Sequence, residues 1–199
     1  LASAVDGRTI AAISSKGGEG GARLDYARRV GGSNLQKYTF HDRAHMLKAL
    51  AQHLMEHKKE FYDLSTETGA TKGDSWIDID GGISTLFVYS SKGRREMPND
   101  KVYLDGTPER ISRDGTFTAQ HIFTPRQGAA VHINAYNFPA WGMAEKLAVA
   151  VMAGMPVMVK PSPTTAPLAH RIVELWVEAG ILPVGVLSLL HGEPEDLLD

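Results

Sequence analysis

Two short apolar runs flank a helical repeat in the second half of the chain. Residues 128–133 and 156–159 lack polar alternation, which is typical of parallel strands covered on both faces. The helical stripe between them is formed by Met143, Leu147 and Val151. Gly154 suits a left-handed C-terminal residue, and Pro156 prevents the helix from continuing. The pattern therefore predicts strand, helix, strand.

A second helix and a third strand extend this unit. One helical face carries Leu168, Ile172, Leu175 and Ala179. Pro167 suits the first turn of that helix, Gly180 suits its end, and residues 185–190 form a third apolar run. Two successive strand-helix-strand units with right-handed crossovers make half of a doubly wound parallel sheet. The predicted fold class is accordingly α/β.

Helical patterns dominate the first hundred residues. An apolar stripe from Phe40 to Leu64 continues to Gly69 and predicts either a helical hairpin or one long bent helix. A further helix contains residues 76–87 and is predicted to end at Gly93. Residues 8–13 are a candidate strand, and residues 24–30 a short helix.

Antiparallel strands are predicted between this scaffold and the parallel sheet. The candidate strands are residues 101–104, 109–113 and 117–124. Turns are expected at Asp105-Gly106 and Asp114-Gly115, and the second pair is a strong hairpin signal. No internal repeat or low-complexity linker separates these parts.

Polar residues follow the first two predicted parallel strands. Asn134 and Asn137 come after the first strand, and Lys160 and Ser162 lie at the end of the second. Ligands gather at the carboxyl ends of strands in such sheets, and neighbouring strands lie roughly 5 Å apart. One extended ligand would then meet both an amide and an ammonium, which suggests a nucleotide site beside a reaction centre. The alternatives are that Asn137 closes a turn before Pro139 and that Lys160 is an ordinary solvated lysine.

Composition narrows the class of protein. The 199 residues are 43% hydrophobic and 22% charged, which is enough for a sizeable core and argues against disorder. A net charge of −2 does not indicate the basic surface that is typical of a nucleic-acid-binding protein. No stretch has the apolar length of a membrane span and no secretory signal is recognisable, so the expectation is a cytoplasmic protein without membrane partners.

Histidine pairs raise the question of a metal site. His41 and His45 have the spacing of a zinc-binding helix, and His53 and His57 repeat it. Because no third ligand follows at a recognisable spacing, these residues are interpreted as a solvated helix face, and no metal is predicted. The chain contains no cysteine, which excludes disulfides within it.

Several strings, in order along nearly the whole chain, resemble the aldehyde dehydrogenase superfamily. In the predicted sheet they are Asn137-Phe138-Pro139, Glu145-Lys146-Leu147-Ala148, Ala153-Gly154-Met155-Pro156 and Val159-Lys160-Pro161-Ser162. Others are similar to one branch, the dehydrogenase half of the phenylacetic acid degradation proteins, which oxidise a CoA-linked semialdehyde. These are Thr68-Gly69-Ala70-Thr71, Asp74-Ser75-Trp76-Ile77-Asp78-Ile79, Gly81-Gly82-Ile83, Thr85-Leu86-Phe87, Ala130-Val131-His132-Ile133-Asn134-Ala135 and Asp196-Leu197-Leu198-Asp199.

The resemblance implies a role for each candidate residue. Asn137 would donate its side-chain amide to the oxygen of a thiohemiacetal formed by a cysteine nucleophile. Lys160 would reach the adenosine ribose, with Ser162 nearby. Ile133 and Asn134 would line the nicotinamide side through backbone atoms.

The resemblance also bears on the cofactor. Many NAD-preferring members carry a glutamate three residues after the lysine, where this chain has Pro163. A carboxylate there would repel a 2′-phosphate, so its absence favours NADP, although NAD remains open. No Gly-x-Gly-x-x-Gly run occurs, which argues against an ordinary Rossmann dehydrogenase but not against this family.

The missing cysteine shapes the functional prediction. The chain is interpreted as the front portion of a longer enzyme, with residues 1–199 forming the N-terminal part of the cofactor-binding domain. Without the catalytic domain and its nucleophile, it is expected to be inactive alone. Within it, residues 100–126 would project and pair subunits of a homo-oligomer, and residues 127–199 would form the nucleotide-binding half. The predicted reaction is oxidation of a CoA-linked semialdehyde with NADP in phenylacetate degradation. The alternatives are a semialdehyde dehydrogenase of benzoyl-CoA breakdown and a non-catalytic nucleotide-binding or assembly module.

Overall fold

A computed structural model describes residues 1–14 and 20–192, in which a helical scaffold precedes a hairpin and a parallel sheet. The helices are α1 Gly20–Tyr26, a π-helical turn Ala27–Gly31, α2 Gly32–Leu35, α3 Phe40–Glu56, α4 Lys58–Glu67, α5 Lys72–Glu96, α6 Trp141–Met152, a 3₁₀ turn Pro163–Thr165, and α7 Ala166–Glu178. The strands are β1 Tyr103–Arg110, β2 Thr118–Phe123, β3 Ala130–Ile133, β4 Val157–Lys160 and β5 Leu187–Leu189. Among these described elements, no helix is long and apolar enough to cross a membrane.

The parallel sheet has the order β3-β4-β5, which confirms the predicted α/β architecture. All pairs are parallel, with Ile133 opposite Lys160 and Val157 opposite Leu187. The central strand β4 is buried along its whole length. The prediction that the first strand is also covered on both faces is wrong, because Val131 and Ile133 are 52% and 54% exposed. β3 lies at an edge of the sheet, and no described element covers its second face.

Helix α5 packs against both α3 and α6 and forms the centre of the scaffold. Two glycines let it approach α6 closely: a Cβ added to Gly82 would lie 3.1 Å from the backbone nitrogen of Trp141, and one added to Gly81 would meet the Trp141 ring. The core includes Leu47, Leu86, Met143, Leu147, Val159 and Trp176. The scaffold thus holds the beginning of α6 against α5.

Gly93 does not end α5, so the predicted helix end is wrong. The helix continues to Glu96 and stops at Met97, whose backbone is extended before Pro98. A Cβ at Gly93 would overlap the Met152 side chain and lie 3.1 Å from Ala44. This glycine therefore serves the close packing of three helices and is not a helix cap.

The long apolar stripe forms two consecutive helices. Only His57 separates α3 from α4, and its φ of −107° and ψ of 5° interrupt the helix. A single residue is too short for the loop of a helical hairpin. The stripe is therefore an interrupted helix, and α3 begins with a capping box in which Thr39 and Asp42 exchange hydrogen bonds.

The antiparallel hairpin differs from the prediction in its first strand. β1 runs without a break through Asp105-Gly106, where Gly106 has a φ of +70° and the register with β2 shifts. The glycine forms a bulge and not a turn, so two predicted strands are one. The turn at Asp114-Gly115 is confirmed by a φ of +77° at Gly115. Hydrogen bonds from Ser112 and Thr116 lower the pKa of Asp114 to about 2.

The N-terminal segment departs from its predicted strand. Within residues 8–13 only Thr9 has a β-bridge, to Ala2, because the chain turns back at Gly7 and meets no sheet. The helix predicted at residues 24–30 is part of a continuous helical segment, 20–35. A Cβ added to Gly31 in that segment would overlap the carbonyl oxygen of Gly185. The segment is thereby docked against the loop before β5.

Candidate functional site

The carboxyl ends of β3 and β4 bring Asn134 and Lys160 together. The backbone nitrogen of Asn134 donates to the carbonyl oxygen of Lys160 at 2.9 Å, one residue beyond the pairing of Ile133 with Lys160. Asn134 is buried, whereas half of Ile133 is exposed on the outer face of the edge strand. Three of the predicted site residues, Ile133, Asn134 and Lys160, therefore lie together at the carboxyl ends of two paired strands.

Lys160 is buried without a partner. It is 4% exposed, and within residues 1–14 and 20–192 it makes no hydrogen bond or ion pair. Its Nζ is not among the buried side-chain atoms that lack a partner, so the aliphatic part of the side chain is covered while the ammonium keeps contact with solvent. The charge is therefore held at the carboxyl end of β4, where a polar or anionic ligand can reach it, and the alternative of an ordinary solvated lysine stays open.

Asn137 lies in the exposed bend that joins β3 to α6. In the described part of the chain its side chain makes no hydrogen bond, so both N–H donors of the amide are available. The alternative that Asn137 closes the turn before Pro139 stays open, because the residue lies in that bend. Three residues separate it from Trp141, the first residue of α6.

A buried carboxylate that sequence reasoning missed holds the other end of this bend. Asp78 on α5 is 3% exposed and accepts hydrogen bonds from the backbone nitrogens of Ala140, at 3.1 Å, and Trp141, at 2.7 Å. It thus satisfies free N–H groups at the start of α6. Burial raises the pKa of Asp78, and the two backbone hydrogen bonds oppose that shift. The available signal was a carboxylate on the apolar stripe of a helix, between Ser75 and Ile79.

Lys146 on α6 fastens the end of β3. Its Nζ donates to the carbonyl oxygen of Ile133 at 3.1 Å and to Oδ1 of Asn134 at 2.8 Å. The Asn134 Nδ2 is buried without a partner. Nothing in the sequence pattern predicts this contact, because it depends on how α6 crosses the sheet.

The same lysine influences the histidine inside β3. Burial lowers the pKa of His132 to about 4, and the positive charge of Lys146 adds to this effect. His132 is therefore neutral at physiological pH. Its Nδ1 is buried without a hydrogen bond.

Ser162 follows β4 and precedes a short 3₁₀ turn. Its hydroxyl lies 2.9 Å from that of Thr164, and Pro163 is the first residue of the turn. The hydroxyl of Thr165 is buried without a partner. This segment offers hydroxyl groups beside Lys160, and residue 163 is a proline, which has no carboxylate.

A cleft of about 600 Å³ opens between the N-terminal segment and α7. It is lined by residues 10–14, Glu60, Leu64, residues 166 and 167, His170, Arg171 and His191. Neither Asn137 nor Lys160 lines it. The predicted site therefore lies at the carboxyl ends of β3 and β4, and this cleft is a separate cavity.

The histidine pairs differ in surroundings. Ligand atoms of His53, Glu56 and His57 lie within 4.8 Å of one another, whereas His41 Nε2 is 2.9 Å from the carbonyl oxygen of Met97. Glu56, one turn from His53, adds a third metal-ligating group that the sequence analysis did not count. The absence of a metal site stays a prediction.

Comparison with known sequences identifies relatives that match nearly the whole chain. The profile described as the aldehyde dehydrogenase family matches residues 4–199. A 3,4-dehydroadipyl-CoA semialdehyde dehydrogenase from Aromatoleum evansii is 40% identical over 200 residues, which cover 100% of this chain and 39% of that protein. The chain therefore spans well under half the length of this relative.

Solved structures share the fold. An NADP-dependent enzyme from E. coli superposes with a TM-score of 0.81 at 22% identity, over 99% of this chain and 39% of that one. An indole-3-acetaldehyde dehydrogenase in its apo form gives a TM-score of 0.76 at 26% identity, over 98% and 44%. The arrangement of scaffold, hairpin and parallel sheet is thus shared.

Proposed function

Because the chain belongs to the aldehyde dehydrogenase family, we propose that it provides the dinucleotide and oxyanion sites for oxidising a CoA-linked semialdehyde to the acid. The observation that carries this proposal is the carboxyl end of the parallel sheet, where Lys160 is the last residue of β4 and Asn137 follows the adjacent strand β3. Within residues 1–14 and 20–192 neither side chain has a hydrogen-bond partner. The chain supplies no cysteine, so the proposal assigns it binding and stabilisation and not the nucleophilic attack.

Each residue has a distinct role in this proposal. Asn137 donates N–H groups to the oxygen that gains negative charge when the aldehyde is attacked, and a neutral amide does this at any working pH. Lys160 binds the adenosine ribose and Ser162 lies beside it. Ile133 and Asn134 line the nicotinamide side. A dinucleotide held by these residues would supply the hydride acceptor.

We infer that NADP is the preferred dinucleotide, with NAD as the alternative. Pro163 leaves no carboxylate where one would repel a 2′-phosphate, and among the residues that the structure describes Lys160 has no partner that would compete for its charge. Both observations permit a phosphate at this edge of the sheet.

The substrate class rests on the relative's name. The protein from Aromatoleum evansii is a CoA-linked semialdehyde dehydrogenase, which supports that class for this chain. Phenylacetate degradation and benzoyl-CoA breakdown both remain as pathways within it. The substrate's acyl group distinguishes them, and assays of the corresponding CoA semialdehydes would decide.

A binding experiment tests the cofactor half of the proposal. Titration calorimetry of the 199-residue chain with NADP⁺ and NAD⁺ should detect binding, and Lys160→Met should weaken it by roughly 10- to 100-fold, as expected for a charge-assisted contact. Lys48→Met, at an exposed lysine on α3, is the matched control and should leave affinity unchanged. If neither dinucleotide binds to the folded chain, the cofactor assignment is wrong.

A chimera tests the catalytic half. The chain would replace the matching 200 residues of the Aromatoleum evansii enzyme, and turnover of its CoA-linked semialdehyde would be measured. Asn137→Ala should lower kcat by about 10²- to 10³-fold, while Gln127→Ala, a second exposed amide, should not. Binding of a dinucleotide by a folded chimera that oxidises no aldehyde would favour the non-catalytic module.

A further inference from the structure

Two histidines and a glutamate converge where helix α3 ends. Ligand atoms of His53, Glu56 and His57 lie within 4.8 Å of one another. His53 Nδ1 is 4.0 Å from Glu56 Oε2, and the centroids of the two imidazole rings are 5.0 Å apart. Residues three and four apart are neighbours on a helix surface, so the spacing of these residues places them on one face. The separations are too long for hydrogen bonds between the three groups.

The ligating atoms of this cluster are free and accessible. In the part of the chain that the structure describes, none of the three side chains makes a hydrogen bond. The side chain of Glu56 is 74% exposed, and those of His53 and His57 are 27% and 30% exposed. A neutral imidazole offers one nitrogen lone pair and a carboxylate offers two oxygens. An ion arriving from solvent therefore meets three available ligands.

The cations nearest along the chain are paired with other carboxylates. Lys58 forms an ion pair with Asp80, and Lys59 forms one with Asp63 at 3.0 Å. Within residues 1–14 and 20–192, Glu56 has no lysine or arginine partner. Its charge is therefore not neutralised by a neighbouring side chain.

A cleft of about 530 Å³ borders the cluster at Glu56 and His57. Its charged lining has more carboxylates than basic groups, namely Glu56, Glu60, Asp63 and Glu67 against Arg8 and Lys59. Such a lining attracts cations from solvent. Glu60 also lies 3.8 Å from His57 Nδ1, but Arg171 holds it at 2.6 Å, so it does not count as a fourth ligand.

The ligand types select the class of metal. Imidazole suits zinc, copper and nickel, whereas magnesium and calcium prefer oxygen ligands alone. Zinc holds imidazole nitrogen and carboxylate oxygen at roughly 2.0–2.2 Å, so tetrahedral ligand atoms lie about 3.4 Å apart. Partly exposed side chains reach that spacing from 4.8 Å or less by small rotations.

We propose that His53, Glu56 and His57 bind one divalent transition-metal ion, with zinc as the favoured ion and water in the remaining position. The ion ties the last turn of α3 to His57, the residue that interrupts the helix before α4. The proposal does not depend on the dinucleotide and oxyanion sites. It differs from the expectation drawn from the sequence, which counted histidine pairs without Glu56.

Zinc titration of the 199-residue chain tests the site. After treatment with a chelator, calorimetry with Zn²⁺ should show binding of one ion at the cluster, and Mg²⁺ should not bind there. His57→Gln and Glu56→Gln should each weaken zinc binding by more than about tenfold, since even the groups behind a metal ligand usually contribute that much. His45→Gln is the matched control, because His41 and His45 have the same spacing on α3 without a third ligand.

Thermal unfolding provides a second readout. An ion that binds the folded chain raises its thermal midpoint. Zn²⁺ should therefore raise the midpoint of wild type and of His45→Gln, but not that of the double variant His53→Gln, His57→Gln. Midpoints measured without metal check that each variant folds, and Glu56→Gln, at the most exposed of the three ligands, keeps the shape of the side chain.

A second pair of histidines makes the outcomes specific. His170 and His191 lie 3.0 Å apart and are the competing place for an ion. Weaker zinc binding in His57→Gln and Glu56→Gln, with His45→Gln and His170→Gln unchanged, supports the three-ligand site. The proposal is overturned if wild type binds no zinc, if His170→Gln loses the ion instead, or if Glu56→Gln binds zinc like wild type. Dinucleotide binding is measured separately, so the proposed function stands or falls independently.

Discussion

At the scale of single residues, Asp78 is the carboxylate that supports the bend bearing Asn137. Asp78→Ala would leave the backbone N–H groups of Ala140 and Trp141 buried without an acceptor. We expect the free energy of unfolding to fall by about 1–3 kcal/mol, measured by urea denaturation. Asp63→Ala, at an exposed ion pair with Lys59, should change it by less than about 0.5 kcal/mol. Equal effects of the two substitutions would contradict the capping role.

The pH dependence of Asp78 has a definite sign. Burial raises its pKa above the unfolded value of 3.8, so the folded chain binds the proton more tightly than the unfolded chain does. Its contribution to stability is therefore full below pH 3.8 and is lost as pH rises through the raised pKa. Unfolding free energies of wild type and Asp78→Asn, measured from pH 3 to pH 7, should show the wild type losing stability relative to the variant. A constant difference would contradict the prediction.

The contribution of His132 to stability depends on pH in the opposite direction to that of Asp78. Its pKa falls from 6.5 to about 4 on folding, mainly through burial, so the unfolded chain binds a proton first as the solution is acidified. Its contribution is present above pH 6.5 and is lost as pH falls towards 4. The thermal midpoint of wild type should therefore drop more between pH 7 and pH 4 than that of His132→Gln. His45→Gln, at an exposed histidine, is the matched control, and its thermal midpoint should drop by as much as that of wild type.

The site residues that could be predicted from the sequence differ from those that could not in the kind of contact they make. Asn134 and Lys160 were predictable as neighbours because parallel strands end together. Asp78 and Lys146 act across helices, from α5 to α6 and from α6 to β3, and no local pattern specifies which side chains meet there.

At the scale of secondary-structure elements, two adjacent glycines test how the N-terminal helical segment docks. Gly31→Ala would push a methyl group into the carbonyl oxygen of Gly185, and neither backbone can move freely. At Gly32 the nearest atom is Pro156 Cδ at 3.9 Å, so an alanine fits. We expect Gly31→Ala to destabilise the fold by about 1–3 kcal/mol and Gly32→Ala to stabilise it by up to about 1 kcal/mol.

Chemical denaturation of both variants checks this prediction. Because the two positions are neighbours in one helical segment, helix propensity changes equally in both, and only the contact with Gly185 differs. Equal stabilisation by the two alanines would show that the segment does not approach the loop before β5 as closely as described.

The elements that were predictable follow from local periodicity. The unit of β3, α6 and β4 was predictable because its helix carries an apolar stripe and ends at Gly154, which has a φ of +79°. Two glycines led to wrong predictions. Gly93 was predicted to end a helix but serves close packing, and Gly106 was predicted to lie in a turn but forms a bulge. The exposed face of β3 was also unpredictable, because an apolar strand pattern does not reveal which neighbours are present.

At the scale of the whole molecule, the hairpin of β1 and β2 has little support from the described residues. A two-stranded ribbon alone is marginally stable in water. Leu104 and Ile122 are directly paired across the strands, and they are 53% and 56% exposed. Burial of this apolar pair against a further surface would be favourable, and the homo-oligomer stays a prediction.

A charge placed on this ribbon face tests the homo-oligomer. Ile122→Asp would put a carboxylate opposite Leu104 in an interface that should exclude water, so the mass measured by light scattering should fall to that of the monomer. Val184→Asp is the matched control, because Val184 is 68% exposed but far along the chain from the hairpin. Circular dichroism should show unchanged helix content in both variants. If wild type is already monomeric, or if Ile122→Asp keeps the wild-type mass while remaining folded, the exposed pair does not form the interface, and burial of the ribbon must come from another surface.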